Sequence, residues 1–234
     1  MTLAERYAVV RERIRRAAER SGRSPGEVRL VAVSKTFPAD AVAAAARLGI
    51  TDFGENRAQE LVAKAGALGK DRALNTRLVW HFVGPLQTNK IRHVVGLAAL
   101  VHSVDRLEVA EGIARRARAL GRMQDVLIEV NVGREPTKHG VEPAGLVELA
   151  RAVHDIDGLA LRGVMAIPPD SPDAEGARRY FKEMAALRDE LAATWPGARE
   201  LSIGMSRDLE VAIEEGATIV RVGEALFGPR PASR

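Results

Sequence analysis

The chain of 234 residues contains no cysteine. Disulfides, thiolate metal sites and cysteine nucleophiles are therefore excluded, and a reducing cytoplasmic compartment is expected. Aromatic residues make up only 4%. None interleaves with the arginine-rich runs at 11–16 and 115–122, so base-stacking platforms have no support. No apolar run approaches the roughly 18 residues of a membrane span, and 94–101 is among the longest. The first 16 residues mix Glu and Arg without an apolar core stretch, which does not read as a signal peptide. None of His81, His93, His102, His139 and His154 falls into a metal-binding spacing with carboxylates, and no Gly-x-Ser-x-Gly elbow or Walker loop occurs.

The residues present describe a globular chain. Hydrophobic residues reach 46%, enough to fill a substantial core, and the formal net charge is +4. The two arginine runs carry interspersed acids or fall on helical periodicity, so they read as solvated helix faces. Neither nucleic acid nor membrane is expected as a partner. Residues 3–20 place Leu3, Tyr7, Val10, Ile14 and Ala17 on one helical face. Further helices are predicted over 38–48, 57–68, 87–95, 105–120, 143–154, 173–194 and 206–215. Asp105 and Ser206 are read as caps, and Leu107, Ala110, Ile113, Ala117 and Leu120 as the stripe of one helix. Between them lie short apolar runs: one ending at Lys35, then 50–53, 78–83, 100–104, 125–132, 161–167, 200–203 and 218–222. These show little alternation, as expected of parallel strands covered on both sides. About eight β/α units over this length predict a (β/α)8 TIM barrel forming a single domain over 1–234. A doubly wound open sheet is the second reading.

In such a barrel the polar residues at strand ends gather at one mouth. Lys35 ends the first strand, Asn56 follows the second and His81 lies on the third. Ser103 and Asn131 end the fourth and fifth, and Met165 lies on the sixth. Ser202 and Ser206 bracket the seventh, and Arg221 and Gly223 end the eighth. A lysine at the end of a buried strand is costly unless paired or neutral, and a neutral amine attacks carbonyls to form a Schiff base. Gly204 and Gly223 open N–H-rich turns after strands seven and eight, where barrels often hold phosphate. Arg221, charged and buried, needs an acceptor such as phosphate or a ring nitrogen. His81 is weighed evenly between a ligand contact and a satisfied core histidine. An amine, a phosphate cup and a ring-facing arginine together describe a site for pyridoxal 5′-phosphate. A Schiff-base aldolase without cofactor is the competing use of a barrel-mouth lysine.

Five motifs carry a resemblance. They are Val31-Ala32-Val33-Ser34-Lys35-Thr36, Phe53-Gly54-Glu55-Asn56, Trp80-His81-Phe82-Val83-Gly84-Pro85-Leu86-Gln87-Thr88-Asn89-Lys90, Leu201-Ser202-Ile203-Gly204-Met205-Ser206-Arg207-Asp208 and Val220-Arg221-Val222-Gly223-Glu224-Ala225-Leu226-Phe227-Gly228. In this order they resemble the YggS/PROSC proteins, the pyridoxal phosphate homeostasis family. The resemblance implies an alanine-racemase-like barrel with pyridoxal 5′-phosphate covalently on Lys35. It implies phosphate contacts at Ser206, Gly223 and Glu224, and Arg221 near the ring nitrogen. With these, Asn56, His81, Met165, Ser202, Gly204 and Met205 are the further contacts expected around the cofactor. Two positions depart from the family. Glu224 stands where many members carry a small or hydroxyl residue, and Thr137-Lys138-His139-Gly140 replaces a Lys-Ser-Gly pattern, so Lys138 reads as a solvated loop lysine. Racemases of this fold draw a second base, a tyrosine, from an added domain. Here the only tyrosines are Tyr7 and Tyr180, both on predicted outer helices. The expectation is a monomeric cytoplasmic carrier of pyridoxal phosphate, serving apo-enzymes and turning over little or nothing. A pyridoxal-phosphate-dependent amino-acid racemase is the alternative.

Overall fold

Short β-branched runs that would be marginal alone become strands here because each is paired on both sides and buried on both faces. The computed structural model describes residues 1–71 and 77–229. Its strands are β1 (Arg29–Val33), β2 (Asp52–Glu55), β3 (Val79–Phe82), β4 (Ala98–Val104), β5 (Gln124–Glu129), β6 (Leu159–Met165), β7 (Glu200–Ser202) and β8 (Ile219–Val222). They pair in parallel in chain order, and β8 returns to β1 through Arg29 to Ala32 against Ile219 to Val222. The sheet is therefore a closed barrel, as predicted, with helices outside. These include α1 (Leu3–Arg20), α2 (Ala39–Arg47), α3 (Ala58–Leu68), α4 (Ile91–Val94), α5 (Leu107–Ala119), α6 (Leu146–Asp155), α7 (Arg178–Thr194), α8 (Leu209–Glu214) and α9 (Glu224–Phe227).

Two cores follow from the period-two alternation of strand residues. Ala32, Val101, Val126, Ile128, Val164 and Val220 join the large layer packed under the helices. Val31, Leu100, Leu127, Met165 and Ile219 form a small separate cluster inside the barrel. The predicted face of α1 is buried at Val10, Ile14 and Ala17. Phe181, Met184 and Leu191 do the same for α7.

Four local expectations are corrected. The second strand runs Asp52–Glu55 rather than 50–53. Gly54 belongs in it because a Cβ there would come within 3.0 Å of the Val31 side chain on the neighbouring strand. On α5, Leu107 and Leu120 are exposed, and Val109 and Ala114 are buried beside Ala110, Ile113 and Ala117. The stripe is thus rotated toward the barrel. Asp105 does not cap α5; Arg106 occupies the cap position without a side-chain bond. Ser206 does not cap α8, which starts three residues later, behind Asp208.

Candidate cofactor site

All eight strands end on one side of a parallel barrel, so the loops that follow them converge there. At that end lies a cavity of about 560 Å³. Lys35, Asn56, Met205, Ser206, Arg221, Gly223 and Glu224 line it, together with Phe37 and the proline-rich loop 167–174. Lys35 and Arg221 thus face one chamber.

Lys35 sits in the turn two residues past β1. The turn is held in an uncommon shape, with Thr36 at φ 70°, a region that costs a residue with a Cβ about 1–2 kcal/mol. A buried ion cluster offsets that strain. The Thr36 N–H donates to Glu60 Oε2 at 2.8 Å. Lys64 Nζ donates to the Ser34 carbonyl at 2.7 Å, to Glu55 Oε1 at 2.6 Å and to Glu60 Oε2 at 3.1 Å. Ser34 Oγ donates to the same Glu55 oxygen at 2.6 Å. Burial pushes the Glu55 carboxyl up, while the bonds from Lys64 and Ser34 pull it back. Burial acts on Glu60 in the same sense, but the Thr36 N–H and Lys64 bring that carboxyl below its usual range. Lys64 and Glu60 carry no sequence signal for this role. An i, i+4 acid–lysine pair on a helix ordinarily faces solvent, and only the packing of α3 against β2 and β3 turns it inward.

The opposite wall is built by the turns after β7 and β8. Gly204 adopts φ 85° and a Cβ there would lie 2.5 Å from that of Ala212, so only glycine fits. The Met205 N–H is taken by Asp208 Oδ1 at 2.6 Å. Ser206 Oγ accepts from the Ala225 N–H at 3.2 Å and ties the two turns together. The Ser206 carbonyl is gripped by both Nη atoms of Arg13 at 3.0 Å. One arginine of the run 11–16 therefore braces this wall; Arg15 and Arg16 pair with Glu12 and Glu19 on α1's own surface. Gly223 passes close to β1, where a Cβ would stand 3.2 Å from the Val33 carbonyl oxygen.

Arg221 is buried at 4% exposure. Its Nη1 donates to the Ser202 carbonyl at 2.6 Å and to Ser202 Oγ at 2.7 Å, and its Nη2 to the Ala166 carbonyl at 2.9 Å. A guanidinium has five N–H groups, so two stay outside these bonds. Burial pushes its pKa down to about 10, which leaves it charged at neutral pH. Asn56 Oδ1 is buried without a hydrogen-bond partner, and Asn56 lines the cavity. An orphaned acceptor, a strand-end amine and a donor-rich wall fit a ligand with an anionic end and an aldehyde end.

Four expected contacts lie elsewhere. Met165 belongs to the apolar cluster inside the barrel. Ser202 and Gly204 are buried behind the wall, where they hold Arg221 through its side chain and through its N–H at 2.9 Å. His81 does not line this cavity. It is a satisfied interior histidine, with Nδ1 2.9 Å from His102 Nε2 and Nε2 3.0 Å from Asp52 Oδ1. Asn131 shapes its own loop by bonding Glu135. Lys138 pairs with Glu135 at 2.6 Å and donates to the Pro168 carbonyl at 3.3 Å. Among the described residues no His, Asp or Glu cluster could hold a metal ion. None of their helices is long and apolar enough to cross a membrane.

Comparison with known proteins adds a lineage to this geometry. The family described as alanine racemase, N-terminal domain, matches residues 7–231. The pyridoxal phosphate homeostasis protein of Aquifex aeolicus is 46% identical over 98% of this chain and 99% of its own. The structure of PipY from Synechococcus elongatus with PLP bound is 36% identical, with a TM-score of 0.80 over 97% of this chain and 100% of that one. An alanine racemase from Clostridium difficile shares the fold, with a TM-score of 0.69 over 95% of this chain and 59% of that one at 18% identity. The chain belongs to the pyridoxal phosphate homeostasis family, built on the alanine racemase N-terminal-domain fold.

Proposed function

We propose that this chain, working as one unit over 1–234, binds pyridoxal 5′-phosphate covalently through Lys35 Nζ and buffers it in the cytoplasm as a monomer, with little or no turnover. The observation that carries the reading is the shared chamber of Lys35 and Arg221. When bound, pyridoxal phosphate supplies an aldehyde for an amine and a ring that withdraws electrons. Lys35, through its amine, is the residue that would hold the aldehyde end. The N–H groups of Ser206, Gly223 and Glu224 are those for the phosphate. The Glu224 side chain is exposed, which suits a role through its N–H alone. Arg221, which lines the cavity as a standing donor, would face the ring nitrogen without giving it a proton and so would leave the ring a weak electron sink. Asn56 Oδ1 offers an acceptor nearby.

The names of full-length relatives as homeostasis proteins and the PLP-bound PipY support the reading. Racemisation needs an acid–base group on each face of the ring. Tyr7 lies on α1 and Tyr180 on α7, and neither lines the cavity, nor does any histidine. Apo-enzymes that need the cofactor are the recipients this reading requires.

The test is direct. Purified chain mixed with pyridoxal phosphate turns yellow, and borohydride fixes the label on a peptide containing Lys35. Lys35→Ala with unchanged spectra and undiminished labelling ends the proposal. Steady loss of optical rotation from a single-enantiomer amino acid returns the racemase.

A further inference from the structure

Inside the barrel, beneath the cavity, runs a line of polar side chains that the reading above does not use. We propose that Asp52, His81, His102 and Ser202 form a one-directional hydrogen-bond relay that positions Arg221 from the opposite end of the barrel. The line begins at Asp52, the first residue of β2, on the wall of a second cavity at the N-terminal mouth. It passes through His81 on β3 and His102 on β4, reaches Ser202 on β7, and ends on Arg221 of β8.

Proton counting sets the direction from either end. Arg221 Nη1 is donor-only, so Ser202 Oγ accepts there at 2.7 Å. The hydroxyl has one proton, and among the described residues its other partner is His102 Nδ1 at 2.9 Å. His102 Nδ1 therefore accepts, and a neutral imidazole then carries its proton on Nε2. That proton points at His81 Nδ1, 2.9 Å away. His81 Nδ1 accepts in turn, and its own proton sits on Nε2, toward Asp52 Oδ1 at 3.0 Å. From the other end, an ionised carboxylate accepts only, which demands the same His81 tautomer. The two ends agree, and four successive bonds share one sense. Burial above all, with the nearby Arg221 charge, keeps His102 neutral. His102 and Ser202 are each at most 1% exposed and line neither cavity, so water does not replace a lost partner there. A charged imidazole at His81 would donate to both sides and reverse each bond up to Ser202, whose hydroxyl would then lose its acceptor.

These are positioning residues. The relay exists whatever fills the cavity, and only its bearing on a pyridine ring rests on the function proposed above. The experiment uses the full chain with 15N-labelled histidine at pH 8, with and without pyridoxal phosphate. A through-hydrogen-bond 15N–15N coupling between His102 Nε2 and His81 Nδ1, with the proton on His102, is expected in both samples. Absence of the coupling, or a proton residing on His81 Nδ1, overturns the relay, whereas failure of Lys35 labelling overturns only the cofactor reading. Asp52→Ala should speed solvent exchange of the Arg221 side-chain N–H groups several-fold without changing the fold, and Asp52→Asn, which keeps an acceptor, should restore it. Exchange within about twofold of the parent in Asp52→Ala also sinks the proposal. If that variant does not fold, the coupling in the unaltered chain decides alone.

Discussion

The two mouths of the barrel hold unequal cavities, and the function proposed above uses the smaller one. The N-terminal cavity measures about 760 Å³, yet most of the charges lining it are paired. Arg162 pairs with Asp125 at 3.0 Å, and Arg29 lies 3.4 Å from Glu200 and 3.8 Å from Asp52. Arg23 is spent on the carbonyls of Ile213 and Ala217. The C-terminal cavity, about 560 Å³, keeps binding capacity: an orphaned Asn56 oxygen, an arginine with two N–H groups outside its protein bonds, and glycine-lined turns. Loops before a strand receive helix C-termini, whereas loops after a strand receive helix N-termini with their unpaired N–H groups. Capacity for an anion therefore belongs to one end by chain polarity, and volume does not measure it.

The sharpest way to break the contrast is under Lys35. Lys64→Met leaves the Glu55 carboxylate buried without its cation and should cost about 3–5 kcal/mol in urea denaturation. It should also weaken borohydride-trapped labelling of Lys35. A loss below about 1 kcal/mol, the range of a surface pair, would mean that the cluster does not hold the turn.

Glu129 tests the same end by pH. Burial and the nearby Asp105 raise its pKa from 4.5 to about 7, against the pull of Arg221. The folded form therefore holds a proton that the unfolded chain releases, and stability falls as pH rises from about 4.5 through 7. Glu129→Gln, which mimics the protonated state, should match the parent at pH 4 and exceed it by about 3 kcal/mol at pH 8. An unchanged difference between the two pH values would refute the shift.

Gly204→Ala comes next. The left-handed backbone and the 2.5 Å approach to Ala212 predict a loss of about 1–3 kcal/mol, seen as a lower denaturation midpoint. Weaker affinity for pyridoxal phosphate should accompany it, because the Arg221 N–H bonds the Gly204 carbonyl. The smallest effect belongs to the other mouth. Arg162→Ala breaks a pair whose side chains are 45% and 40% exposed, and should change stability by less than about 1 kcal/mol and cofactor affinity not at all.

Lys35, Arg221 and Gly223 were legible as residues lining the C-terminal cavity because each breaks a local rule: a charge ending an apolar run, or glycine at the mouth of a turn. His81 obeyed the same logic and stayed open between two readings, of which the structure shows the satisfied core histidine, since strand alternation says that a residue points inward but not how deep it lies. Lys64, Glu60 and Arg13 were invisible for the opposite reason. Each looks like an ordinary helix-surface charge until a neighbouring element packs on it. The α5 stripe failed similarly, because the angle at which a helix meets the barrel chooses which apolar residues are covered.

By itself the sequence determined the alternation of short apolar strands with amphipathic helices, hence the parallel barrel, and the chemical inventory at the strand ends. Those follow from periodicity and residue type, which are local. The tertiary structure alone decided which polar groups exhaust one another and which keep capacity for a ligand. Hydrogen-bond satisfaction is a property of neighbours brought together by closure of the barrel, such as His102 with Ser202 and Ser34 with Lys64, and no window of sequence contains both partners.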